Sequence, residues 1–270
     1  MTGAPEVALP GTLSEAIRAQ FGRSFRSPYE TPIVVVANGL LMTGAWFLLP
    51  SPNVLFTLHG ALAFPMILAS WMFSDVPATN VLGPDPGRAM TALNDPTTLR
   101  RLLYAKNVVL WILIVPLCSL IAVGIGLHEH RLATSLFSVI WIAVVPLGAL
   151  GFSAWVGIRY PYHPLALRHR WEHRRPWGRM IIRWLTLAIT PYVVVPLLTL
   201  AVTLPTLLVW TLASTNGVHA RIPDGRFAWG VVLASAIAVP AWILGHHIGV
   251  RTALRRRSRL IRFLADPDAG

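Results

Sequence analysis

The sequence predicts an all-α integral membrane protein with six transmembrane helices. Three observations predict it. Apolar runs of bilayer-spanning length recur along the chain, none of them contains Asp or Glu, and 20 of the 23 Lys and Arg residues fall on one side once six crossings are drawn. A hydrocarbon core of roughly 30 Å needs about 20 apolar helical residues at about 1.5 Å each. The spans are expected at about 32–50, 53–73, 107–127, 132–158, 180–212 and 229–250. Composition agrees: 54% of residues are hydrophobic and only 13% charged, too few charges for a soluble domain of this size.

Residues 1–31 form an arm before the first span. Glu6, Glu15 and Glu30 precede the apolar run without a small-residue cleavage site, which argues against a signal peptide. Thr12-Leu13-Ser14-Glu15 after Pro10-Gly11 reads as a capping box. Leu13, Ile17, Phe21 and Phe25 then recur every four residues, with Arg18, Arg23 and Arg26 off that stripe. The pattern predicts a helix lying flat on the membrane surface, the alternative being a helix packed on the protein's own loops.

The longest loop between spans of the expected basic side runs from Ser74 to Lys106. Asp85-Pro86 and Asp95-Pro96 each pair an N-cap with Pro at the first helical position. The first predicts a short helix to about Leu93, the second a helix leading through Thr98, Leu99, Arg100 and Arg101 into the third span. The 180–212 run would make a helix of about 50 Å, too long for one crossing. Pro191, Pro196 and Pro205 interrupt it, so it is either a kinked helix or one followed by a re-entrant piece. Residues 251–270 form a basic tail.

The arginines set the orientation. They cluster in the arm, in the 74–106 loop, in the loop after the fourth span (Arg159, Arg168, Arg170, Arg174, Arg175, Arg179, Arg183) and in the tail (Arg251, Arg255, Arg256, Arg257, Arg259, Arg262). Arg131, Arg221 and Arg226 stand opposite. Positive loops stay cytoplasmic, which places both termini inside. The charge is read as topology and attraction to anionic lipid, not nucleic-acid binding. Arg168, Arg170, Arg174, Arg175, Arg179, Arg255, Arg256 and Arg257 are the expected lipid contacts. The ratio of 22 Arg to one Lys suggests a GC-rich bacterial genome and hence a multi-pass protein of the plasma membrane.

Chemistry-bearing residues are sparse. His169-Arg170-Trp171-Glu172-His173 matches HxxEH, the inverted zinc-protease motif. The surrounding arginines repel a divalent cation, no Glu follows Glu172 as a third ligand, and Asp224 is expected across the membrane. No metal and no cofactor is therefore expected. His128 and His130 flank Glu129 in a short outer loop, weak ligands at best. His246 and His247 sit at the inner end of the last span, where polar residues are ordinary. His59 lies inside the second span, either bonded to a neighbouring helix or, with Pro191, Pro196 and Pro205, lining a pathway. Cys118 reads as a small apolar filler. The spans hold no carboxylate, which disfavours proton- or sodium-coupled carriage.

The stretch from Ser74 to Asn107 resembles the intracellular loop of permease subunits from actinobacterial type-2 ATP-binding-cassette exporters. The matching positions are Asp75, Ala78, Thr79, Asn80, Leu82, Gly83 and Asp85, then Pro96, Arg100, Arg101, Leu102, Leu103, Lys106 and Asn107. Residues 148–177 are similar to a basic loop of the same proteins. The resemblance covers about half of the chain. It implies a permease subunit that is not itself an enzyme, a separate ATPase docking on the short helix, and a second permease copy. A P-loop needs Lys after a Gly-rich turn, whereas Lys106, the sole Lys, follows Tyr104-Ala105. Asp85, Arg88, Met90, Asp95, Arg100 and Arg101 become the candidate ATPase contacts. The alternatives are a non-transporting membrane scaffold or accessory subunit and a membrane-bound zinc hydrolase using HxxEH.

Overall fold

The computed structural model describes residues 9–26, 29–48, 62–73, 76–161, 163 and 224–266, together with 193, 197 and 201. The described residues are helical and contain no strand. The helices are α1 (Leu13–Ser24), α2 (Glu30–Leu48), α3 (Ala63–Phe73), α4 (Val76–Thr79), α5 (Pro86–Ala92), α6 (Pro96–His128), α7 (Leu132–Arg159), α8 (Asp224–Arg255) and α9 (Arg257–Ala265). Among them, α6, α7 and α8 are long and apolar enough to cross a membrane, while α2 and α3 contribute shorter apolar stretches. The fifth expected span, apart from residues 193, 197 and 201, and the first half of the second lie outside the described residues.

The third expected span is wholly contained in a longer element. α6 is one helix of 33 residues, about 50 Å long, running unbroken from its Asp95 cap past Pro116. It ends in a Schellman turn. His130 takes a left-handed φ of 54°, and the amides of His130 and Arg131 return to the carbonyls of Leu127 and Gly126. The chain then reverses into α7, and the Ser135 hydroxyl donates to the Ala122 carbonyl at 2.8 Å. Pro146 sits inside α7, and about one turn before it the Ala143 carbonyl accepts from Trp111 Nε1 at 2.8 Å.

α7 and α8 run parallel in close contact: Gly148 lies against Ala238, Gly151 against Trp242, and Gly249 against Ile158. Small residues line the buried face of α8 at Gly230, Ala234, Ala238, Gly245, Gly249 and Ala253. Such positions let backbones approach and gain van der Waals contact where lipid removes the hydrophobic drive between helices. A methyl group on Gly245 would sit 2.4 Å from the Gly151 carbonyl carbon, so no side chain fits at that crossing.

Two apolar clusters result. One fills the helical bundle and includes Phe73, Ile114, Ile142, Val145 and Ala238. The other lies at the end where α6 starts and α7 and α8 finish, and joins Val81, Leu82, Ala89, Leu93, Leu103, Ile158, Val250, Leu260 and Leu264. Arg100, Arg159, Arg251 and Arg255 share that end, exposed around the second cluster.

Candidate functional site

The second cluster is organised by the stretch between α4 and α6, where the positions of the family resemblance fall. The Thr79 carbonyl meets α7 at Gly157, where a Cβ would come within 1.5 Å of its oxygen. Asn80 is buried, and its Oδ1 accepts the Gly83 amide at 3.2 Å, closing a side-chain turn. Lys106 is buried and its ammonium donates to the Val81 carbonyl, tying the end of this stretch to α6. Leu82 has no exposed surface.

α5 is capped as its sequence predicts. Asp85 accepts the Arg88 amide at 3.3 Å, and Pro86 opens the helix. The same carboxylate accepts from Arg23 Nη1 of α1 and lies 3.8 Å from Arg88 Nε. Burial lowers the Arg23 guanidinium from its ordinary value while Asp85 opposes that shift, and the guanidinium stays charged at neutral pH. Asp95 caps α6 by accepting the amides of Thr97 and Thr98 and the Thr98 hydroxyl. The Thr98 hydroxyl, then the two amides, hold its carboxyl below the usual carboxylate range.

The short helix is held from both sides by the chain's own ends. α9 buries Leu260 and Leu264 in the cluster that contains Ala89, Ala92 and Leu93 of α5. The Arg257 guanidinium donates to Asn94 Oδ1 just past α5. Phe263 stacks on His163 at 4.8 Å, and His163 Nε2 reaches the Phe263 carbonyl at 2.8 Å. Of the candidate contacts, Arg88 is buried, Met90 is partly buried against the cluster, Asp85 and Arg101 are half-exposed, and Asp95 and Arg100 are exposed. The surface of α5 left partly open is formed by Pro86, Gly87, Met90 and Thr91, with α9 beside it.

α1 forms with its predicted capping box complete. It packs against α6 and buries Ala16 and Ser24, while Leu13, Phe21 and Phe25 stay exposed. One face of this helix therefore lies on the protein, and Leu13, Phe21 and Phe25 of the apolar stripe are open.

Arg168, Arg170, Arg174, Arg175, Arg179, the HxxEH motif, His59, Pro191, Pro196 and Pro205 lie outside the described residues. Among the described residues no group of three His, Cys, Asp or Glu side chains could hold a metal ion. The His128–His130 loop is the Schellman turn already described.

His246 is not the ordinary end-of-span polar residue its position suggested. It has no exposed surface. Its Nδ1 meets the Trp242 carbonyl at 2.9 Å, and its Nε2 meets the Asn107 amide nitrogen of α6 at 3.1 Å. Tyr104 stacks on its ring with centroids 4.3 Å apart and planes 6° apart, and Trp242 presents an edge at 5.5 Å. The sequence signal was the pair Tyr104 and Asn107, three residues apart on the α6 face that meets α8.

No family model matches the chain, and neither does any curated protein or solved structure.

Proposed function

We propose that the chain is the permease subunit of an ATP-binding-cassette exporter in a bacterial plasma membrane, working with a separate ATPase subunit and a second permease copy. Its cargo is left open. The observation that carries the reading is α5. It is a capped helix packed on α6, and the stretch that leads into it is fixed to α7 and α6 through the Thr79–Gly157 and Val81–Lys106 contacts, in a loop with the resemblance described above. Force applied to such a helix reaches α6 directly and α7 through the stretch before it, because close-packed contacts transmit strain. The parallel run of α7 and α8 is the arrangement that one net crossing between them would give, as six spans with both termini inside require. The arginine-bearing end then faces the cytoplasm.

The test is Met90→Pro. Proline inside α5 removes an amide donor and costs about 3 kcal/mol of helix stability, enough to erase seven residues of helix but not the bundle. The variant is expected to insert and fold, yet to lose the P-loop ATPase that copurifies with the wild type, or its ATP turnover. A wild type that brings no ATPase, or a variant that couples normally, would remove the reading's main support.

A further inference from the structure

The pairing around His246 has a direction. A carbonyl can only accept, so the Nδ1 that faces the Trp242 carbonyl carries hydrogen. In the neutral ring Nε2 is then a bare lone pair, and Asn107 turns its amide NH2 toward it. That orientation leaves Asn107 Oδ1 buried without a hydrogen-bond partner, a costly state for an acceptor at zero exposure. Turning the amide over would bring that oxygen onto Nε2, which is useful only if Nε2 also carries hydrogen.

We infer that His246 is a proton-binding site at the seam between α6 and α8, with the Asn107 amide as its switch. In the charged state both ring nitrogens donate, one to the Trp242 carbonyl and the other to Asn107 Oδ1 in a charge-assisted bond. The proton adds to the Nε2 lone pair, so one net positive charge enters, the Asn107 NH2–Nε2 hydrogen bond is exchanged for one to Oδ1, and no other covalent bond changes. Loss of hydration at zero exposure works against an imidazolium, and two groups offset it, the Leu103 carbonyl of α6 that also faces the ring and the Tyr104 side chain. Tyr104 lies flat on the ring and offers the negative face of its π system.

The neighbouring charges are few. α6 contributes Lys106, whose ammonium is held on the Val81 carbonyl, and the phenol of Tyr104. α7 has no ionisable group from Leu132 to Ile158, and Arg159 at its end is exposed. α8 itself adds half-buried His247 and exposed Arg251, and α9 adds exposed Arg257, Arg259 and Arg262. No carboxylate among the described residues faces the ring, so the site answers to the proton and not to a metal cation. This inference is independent of the exporter reading, since it needs no partner.

The experiment follows the ring-nitrogen signals of isotope-labelled histidine in the full-length protein in lipid nanodiscs, from about pH 8 to about pH 5, the range in which an imidazole titrates. His246→Gln identifies the signal. The expected result is a reversible change from one to two protonated ring nitrogens at His246. Asn107→Asp, which supplies a carboxylate that can pair with the imidazolium, should raise the midpoint by about one pH unit or more. Tyr104→Leu, which removes the π face, should lower it, and serves if Asn107→Asp fails to fold. A ring that stays singly protonated throughout would overturn the inference. So would a midpoint that neither substitution moves, since that describes a histidine buried only for packing.

Discussion

α1 and α9 are both short, both amphipathic and both arginine-bearing, and both reach the stretch around α5, but they face opposite ways. α9 turns Leu260 and Leu264 inward onto α5 and leaves Arg257, Arg259 and Arg262 exposed. α1 turns small residues inward at Ala16 and Ser24 and leaves Leu13, Phe21 and Phe25 exposed. A helix that lies in a membrane interface needs an open apolar face. α1 has one, and Phe25 runs on toward exposed Tyr29, Ile33 and Val36 of the linker and α2. α9 has used its apolar face within the protein. Amphipathicity alone therefore does not assign a helix to lipid; the face left after packing does.

The largest expected break comes from charging the two faces in turn. Leu264→Asp forces a carboxylate into the α5–α9 seam and should cost about 3–5 kcal/mol, detaching α9. Trypsin should then cut rapidly after Arg257, Arg259 and Arg262 in the variant and slowly in the wild type. Phe21→Asp changes an exposed residue and should leave that digestion unaltered. Equal protection of both variants would mean that α9 is not held by its apolar face.

A smaller effect separates the two roles of Asp85. Asp85→Ala removes both the α5 cap and the bridge to α1, and should cost about 1–2 kcal/mol locally. Arg23→Ala removes the bridge alone, and a partly exposed ion pair contributes about 0–1 kcal/mol. Hydrogen exchange in α5 should accelerate markedly in the first variant and little in the second. The reverse order would make the bridge, and not the cap, the element that holds α5.

The smallest effect is one of pH. The Asp95 carboxyl titrates below its unfolded value, so its contribution is present above about pH 4 and fades as pH falls through the lower folded pKa. Amide exchange at Thr97 and Thr98, corrected for intrinsic rates, should therefore speed up on acidification, and Asp95→Asn should flatten that dependence. An unchanged profile in the variant would show that the cap is not what acid removes.

Much of this architecture is legible in the chain because the signals are local. The capping box at Thr12–Glu15 and the Asp-Pro pairs at 85 and 95 give the starts of α1, α5 and α6 from a few neighbouring residues. The apolar runs give α7 within a residue of its ends. What the sequence conceals depends on distant partners. Nothing beside Leu260 announces that α5 will cover it, and nothing beside His246 points to Asn107, 139 residues away. Gly157 reads as one small residue in an apolar run until the Thr79 carbonyl is placed against it. Lys106 was taken with the loop charges, yet its ammonium is a buried bolt between two segments.

The Arg257–Asn94 contact spans 163 residues. At roughly 5–20 residues per second, a ribosome needs on the order of 10–30 s to make that interval. Throughout it, the face of α5 that carries Ala89, Ala92 and Leu93 waits without its C-terminal cover. α5 therefore reaches its final packing well after its own residues are made.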